Sequence, residues 1–195
     1  MSRSSSRPVA LILWPAEGMA AAMRAVVLAL FGSLLLALSA KVQVPFWPVP
    51  MTMQTFVVLV LGAAYGWRLG LATVLLYLAE GAFGLPVFAG TPEKGIGLAY
   101  MAGPTGGYLV GFAAAAAFAG WLAERGWTRR VVPLAAMMVL GHAAIFLFGL
   151  SWLAVSIGWA KAIALGLTPF WAATALKTAL AMAAVAGLDR LARAR

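Results

Sequence analysis

The residue in this chain that most needs a chemical reason for its position is Lys177. It stands inside the apolar run PFWAATALKTALAMAAVAG, residues 169–187. In a membrane-crossing helix a central ammonium costs roughly 2.5 to 3.5 kcal/mol and is expected to face a cavity or a partner charge. At about 1.5 Å per residue it lies roughly 12 Å beyond Pro169. Spacings of three and four residues put Phe170, Thr174, Lys177 and Ala181 on one helical face. That face offers an aromatic surface, a hydroxyl and an ammonium, the equipment to hold a small carboxylated molecule with an apolar body. Snorkelling to the interface, or pairing with Glu80, is the structural alternative.

Glu80 is the other charge inside a hydrophobic segment. It can neutralise Lys177, accept from a ligand N–H, or reach the interface. Gln54 and Thr52 supply neutral donors and acceptors at the same level. His142, the single histidine, falls in MVLGHAAIFLF and reads as a packed neutral side chain. With no cysteine and no second histidine, no metal site is expected. One histidine, one aspartate and no G-x-S-x-G leave no catalytic triad to assemble, and no cofactor or catalytic residue is expected. There is no G-x-x-x-x-G-K-[ST] loop, so energy for uphill transport must come from a partner or an ion gradient.

The elements that position these residues follow from composition. Of 195 residues, 64% are hydrophobic and 10% charged, against about 25% charged in a soluble domain. At about 20 apolar residues per crossing, the chain has room for an all-α integral membrane bundle of six helices, near 18–40, 52–66, 69–83, 105–123, 131–157 and 169–188. The second and third are short, so tilt or burial of their ends is expected. Gly62/Gly66, Gly66/Gly70 and Gly107/Gly111 have the spacing of close helix contacts, and the Ala113–Ala117 run allows the same. The opening MSRSSSRPVALILWPAE has too short an apolar core for a signal peptide. Residues 1–17 read as a mobile start, 18–190 as one transmembrane domain and 191–195 as a basic tail.

A net charge of +9 does not point to nucleic acid, because the cations sit at segment ends and not in a patch interleaved with aromatics. All ten arginines fall at one end of the six-pass scheme: Arg3, Arg7, Arg24, Arg68, Arg125, Arg129, Arg130, Arg190, Arg193 and Arg195. The opposite loops carry Lys41, Lys94 and Lys161. The positive-inside rule makes both termini cytoplasmic, with the chain in a plasma membrane and in contact with its lipid. Three proline- and glycine-rich segments then converge outside: VPFWPVP (44–50), GLPVFAGTPEKGIGLAYMAGPTGGY (84–108) and SIGWAKAIALGLTPF (156–170). Irregular backbone at membrane depth needs protein or a watery cavity to satisfy it. The cluster therefore reads as the lining or lid of a pocket open to the outside.

VPFWPVPMTMQT, LYLAEGAFGLPVFAG, GPTGGYLVGF and LTPFWAATALK, in this order over about residues 20–190, resemble BioY, the biotin-specific substrate-binding component of energy-coupling factor transporters. The resemblance implies a six-helix protein that binds biotin from outside and works with a transmembrane coupling subunit and two ATPase subunits. It implies contact with the coupling subunit through small residues of the first helix, here Ala25, Ala29 and Ser33.

Biotin matches the inventory: its carboxylate needs a cation, its ureido ring donors and acceptors, its thiophane ring apolar walls. The resulting expectation is that Lys177, beside Thr174, holds the carboxylate. Gln54, Glu80 and backbone near Gly106 and Gly107 would hold the ureido end, with Thr52 close by, and Phe88, Tyr108 and Trp152 would form the walls. The family usually has an aspartate three residues before this lysine. Here Thr174 stands in its place, so either Glu80 or the ligand's own carboxylate is the counter-ion. Two other classes remain open. A membrane enzyme acting on a small molecule or lipid would need Glu80 and His142 as an acid–base pair, and a pore or scaffold would bind nothing small.

Overall fold

The computed structural model describes residues 8–194. They are almost entirely helical: α1 (Val9–Leu13), α2 (Gly18–Lys41), α3 (Gln54–Ala82), α4 (Gly97–Met101), α5 (Gly106–Ala123), α6 (Val131–Ile157), α7 (Trp159–Gly166) and α8 (Trp171–Arg193), with single 3₁₀ turns at Trp127–Arg129 and Thr168–Phe170. The strands β1 (Gln43–Val44) and β2 (Met51–Thr52) pair antiparallel, Gln43 opposite Thr52. Five stretches are long and apolar enough to cross a membrane: Gly18–Lys41, Gln54–Ala82, Gly106–Ala123, Val131–Ile157 and Trp159–Arg193.

The α3 stretch is not one rod. Gly66 has φ 79° and ψ 172°, outside the helical region, in a conformation that glycine reaches without steric cost. There the chain reverses. Gln54 Nε2 donates to Tyr77 Oη at 2.7 Å, although 23 residues of straight helix would separate them by about 35 Å. A Cβ built on Gly70 would lie 3.0 Å from the Gly62 Cα. The two limbs, 54–65 and 67–82, correspond to the expected helices 52–66 and 69–83. They are antiparallel and pack backbone to backbone.

Small residues carry the interhelical packing, as their spacing implied. A Cβ on Gly62 would come within 2.5 Å of the Ala116 carbonyl oxygen, one on Gly120 within 2.4 Å of the Trp67 nitrogen, and one on Gly111 within 2.8 Å of the Ile145 Cα. Ala115, Ala116 and Ala119 are completely buried. The core thus runs along α5, with α3 on one side and α6 on the other.

Three boundaries differ from the sequence reading. Residues 1–7 lie outside the described residues, but α1 forms a helical turn with Val9 6% exposed and packs against α3 and α8. This part of the 1–17 segment is docked. At the other end α8 continues through Arg193, with an i,i+4 ion pair from Arg193 to Asp189. The basic tail is therefore largely helix. Finally, 156–170 is not irregular throughout: Gly158 at φ 80° turns the chain and α7 follows, with Ala162 buried and Trp159 and Lys161 exposed. The flanking Gly158, Gly166 and Pro169 make the whole stretch read as irregular in the sequence.

Candidate functional site

Lys177 is 5% exposed, in the second turn of α8. Its Nζ donates to the Thr52 carbonyl at 3.1 Å, so α8 reaches the end of the β1–β2 hairpin. Thr52 Oγ1 donates to Gln54 Oε1 at 3.2 Å and accepts from the Gln54 backbone N–H at 3.3 Å. The Gln54 side chain is held in turn by Tyr77, whose hydroxyl donates to the Val87 carbonyl at 3.1 Å. Lys177, Thr52, Gln54 and Tyr77 form one chain of polar contacts from α8, through the hairpin, to loop 83–96.

This chain borders a cavity. The walls are Val49, Pro50, Thr52, Gln54 and Thr55 from the hairpin and the start of α3; Phe88, Ala89, Tyr100 and Thr105 from the segment between α3 and α5; Tyr108, Leu109 and Phe112 from α5; Ile145 and Phe146 from α6; and Phe170, Thr174 and Lys177 at α8. The free space among these walls, open mouth included, is about 570 Å³. Among the described residues Lys177 is its single charged wall residue, and no carboxylate lines it. An apolar cavity with one ammonium favours a ligand that brings its own negative charge, because a buried ion needs a partner.

The roof is built from aromatic contacts. Phe88, 1% exposed, stacks on Tyr100 at 4.9 Å and meets Tyr77 edge-on at 5.4 Å. Tyr100 Oη donates to the Ala89 carbonyl at 2.8 Å, and burial raises this hydroxyl above its usual pKa. Lys41, the last residue of α2, donates to the Phe88 carbonyl at 3.0 Å, the Thr91 carbonyl at 3.3 Å and Thr91 Oγ1 at 3.2 Å. One side chain from α2 thereby pins the stretch that covers the cavity. Tyr108 is held by donation to the Gly166 carbonyl at 2.9 Å. Phe170 lies 6.0 Å from Phe46 and 6.4 Å from Phe146.

Of the residues expected at the site, Lys177, Thr174, Gln54, Thr52, Phe88 and Tyr108 line the cavity. Glu80 does not: its carboxylate accepts from Ser33 Oγ on α2, and it has no bond to Lys177 or to the cavity. Thr105 and Tyr108 are among the cavity walls, but their neighbours Gly106 and Gly107 are not. Cβ atoms there would meet the Met101 carbonyl oxygen at 2.0 Å and Trp152 Cβ at 2.3 Å, so these glycines serve close approach of α5 to α4 and α6. Trp152 is half exposed outside the cavity, and its indole donates to the Gly103 carbonyl at 3.0 Å. It props the start of α5 and does not line this cavity.

On α2, Ser33 is 1% exposed and bonded to Glu80, so it is not available as a partner surface; Ala25 and Ala29 are half-buried. Glu80 and His142 are not brought together. His142 Nδ1 is 3.0 Å from the Met138 carbonyl and 3.2 Å from Thr178 Oγ1, whereas Glu80 is bonded to Ser33 on α2.

Sequence reasoning missed Tyr77, Tyr100 and Thr55. Thr55 Oγ1 is buried at the cavity with no hydrogen-bond partner. Its signal was present in the T-M-Q-T run, where it adjoins Gln54. Nothing in the sequence marks the tyrosines, whose roles depend on which face of each limb meets the hairpin.

A model of the BioY family matches residues 10–194. Among curated proteins, the probable biotin transporter BioY of Pyrococcus horikoshii is 38% identical over 148 residues, covering 76% of this chain and 85% of that protein. The biotin transporter BioY of Rhizobium etli is 37% identical, covering 68% and 74%. Biotin transporter BioY2 of Lactococcus lactis subsp. cremoris is 30% identical, covering 71% and 75%. Among solved structures, the S-component for biotin from an ECF-type ABC transporter has the same fold, with a TM-score of 0.77 at 22% identity over 90% of this chain and 95% of that one.

Proposed function

The chain belongs to the BioY family, and we propose that it is a membrane component for biotin uptake that captures the vitamin in the cavity beneath Phe88 and Tyr100. The observation that carries the site is Lys177: a buried ammonium whose bonded partner is a neutral carbonyl, in a cavity without a carboxylate. The biotin carboxylate would be its counter-ion. Thr174, one turn away on the same face, would accept or donate beside it. With Glu80 engaged by Ser33, the ligand and not Glu80 completes the pair. Gln54, Thr52 and the unpartnered Thr55 hydroxyl are the groups for the ureido ring, and Phe88, Tyr108, Phe112 and Phe170 the walls for the thiophane ring and valeryl chain.

We further infer six passes, counting the two limbs of α3 separately, with both termini cytoplasmic in the plasma membrane and the cavity mouth outside. Support comes from the reversal at Gly66 and from the arginines gathered opposite the cavity: Arg24 in the second turn of α2, Arg68 at the α3 reversal, Arg125, Arg129 and Arg130 between α5 and α6, and Arg190 and Arg193 in the last turn of α8. The sequence lacks a nucleotide-binding loop, so ATP would be hydrolysed by partner subunits of an energy-coupling factor transporter, acting through a transmembrane coupling subunit.

The test is calorimetry with biotin on the purified protein, wild type beside Lys177→Ala. Truncating the buried charge partner is expected to cost about 2 to 5 kcal/mol. Full wild-type affinity in the variant would move the carboxylate elsewhere, and no wild-type binding would overturn the biotin reading.

A further inference from the structure

A second cavity lies at the opposite end of the bundle, where the chain reverses at Gly66. It is lined by Arg24 and Ala25 of α2, Tyr65, Trp67, Arg68 and Leu69 around the turn, Pro8 and Leu11 at α1, and Glu124 at the end of α5. Its open volume is about 890 Å³. Nothing in the biotin site uses it.

Two arginines, Arg24 and Arg68, line this cavity with one carboxylate among its described walls. The Arg24 guanidinium donates through Nη1 to the Trp14 carbonyl at 2.8 Å, while its Nε is buried without a partner. Arg68 lies over the Trp67 ring at 5.2 Å and is in no ion pair among the described residues. The one carboxylate in the lining, Glu124, accepts the Trp67 backbone N–H through Oε1 at 3.2 Å. A guanidinium with an unsatisfied N–H that shares a cavity with a second guanidinium is an arrangement that a phosphate oxygen completes.

The surroundings favour a lipid source for that phosphate. Each arginine heads an exposed apolar stripe on its own helix. On α2, Arg24 is followed at helical spacing by Val27, Phe31, Leu34 and Leu38, all exposed. On the second limb of α3, Arg68 is followed by Ala72 and Leu75, also exposed. From Val27 to Leu38 the helix rises about 16 Å, close to the half-thickness of a hydrocarbon core about 30 Å deep. Trp67 and Trp14, partly exposed, are of the type that sits at headgroup level.

We propose that this cavity binds the headgroup phosphate of an anionic glycerophospholipid, with Arg24 and Arg68 on the phosphate and the acyl chains lying along the α2 and α3 stripes. Basic pockets between helices at the cytoplasmic interface are suited to this class of ligand. Bound there, the lipid would tie α1, α2 and the α3 turn together.

The experiment reconstitutes the full chain in nanodiscs of equal phosphatidylglycerol and phosphatidylcholine, extracts it in mild detergent, and measures co-purified lipid by mass spectrometry. Arg68→Gln, Arg24→Gln and Arg130→Gln are compared with wild type, with thermal unfolding as the check on folding. Arg68 is exposed, so its variant keeps the test alive if Arg24→Gln does not fold. Arg130 is exposed and outside the cavity, and removes the same charge from the same end. The expected result is enrichment of phosphatidylglycerol in wild type, reduced about fivefold in Arg68→Gln, as one arginine near an anionic surface implies, and retained in Arg130→Gln. Equal retention of both lipids, equal loss in Arg130→Gln, or displacement by inorganic phosphate at millimolar concentration would each overturn the proposal.

Discussion

Lys177 on α8 and Thr52 at the end of β2 are joined by a 3.1 Å hydrogen bond between residues 125 positions apart in the chain. This bond closes one side of the cavity and leaves the ammonium with a neutral partner. A carbonyl dipole does not neutralise a buried cation, so the ligand that binds here is expected to be read by its charge. Biotin and its primary amide should therefore differ in affinity by about 30-fold or more on the wild type, the loss that follows removal of one member of a buried charge pair. On Lys177→Met the two should bind alike. Competition between the two ligands for a labelled biotin measures this, and an equal preference on the wild type would separate Lys177 from the carboxylate.

Tyr77 receives one hydrogen bond from Gln54 and donates one to the Val87 carbonyl, tying the two limbs of α3 to each other and to loop 83–96. Tyr77→Phe removes both bonds and leaves the Gln54 amide and the Val87 carbonyl buried without this partner. The expected cost is about 1 to 3 kcal/mol, visible as a lower unfolding midpoint in detergent. Biotin should restore part of the loss by binding the folded state. An unchanged midpoint would mean that the pair contributes nothing to holding the hairpin.

Much of this was legible in the sequence, and the failures share one cause. A lysine eight residues into an apolar helix has few places to go, so Lys177 pointed to a cavity from composition alone, and Thr52 and Gln54 followed as polar groups opening an apolar helix. Periodicity does not give the rotation of a helix about its axis. Gly106 and Gly107 suited either a ligand or a neighbouring helix, and it is the neighbour they meet. Ser33 lies on a stripe of small residues that suited a partner subunit, and the second limb of α3 occupies it. Glu80, half-buried like a ligand group, is used by that same serine. The reversal at Gly66 appeared only as a gap between two short helices, because the sequence shows that a glycine is present but not that its φ is positive.

Gly62 and Gly187 make a controlled pair for the packing argument. Both lie in helices, but a Cβ on Gly62 would be 2.5 Å from the Ala116 carbonyl oxygen, whereas one on Gly187 meets nothing within 4 Å. Gly62→Ala forces α3 and α5 apart and is expected to destabilise by about 1 to 3 kcal/mol. Gly187→Ala raises helix propensity and is expected to stabilise by up to about 1 kcal/mol. Unfolding midpoints moving in the same direction for both would show that backbone contact at Gly62 is not what holds these helices together.

Lys41 sets the last expectation, which concerns access to the cavity. Its ammonium gathers the Phe88 carbonyl and both oxygens of Thr91, and Phe88 roofs the cavity. Hydrogen bonds from a charged donor contribute about 1.5 to 3 kcal/mol each in net terms, although three on one group are not additive. Lys41→Met keeps the length and apolar stem of the side chain and removes the donors. The stretch carrying Phe88 should then open more readily, so biotin should leave at least tenfold faster, and entry should accelerate as well if opening limits it. Because the substitution touches no proposed ligand contact, affinity should fall less than the dissociation rate rises. Stopped-flow measurement of both rates resolves this. A dissociation rate equal to wild type would show that the roof is held by Tyr77 and Tyr100 without help from α2.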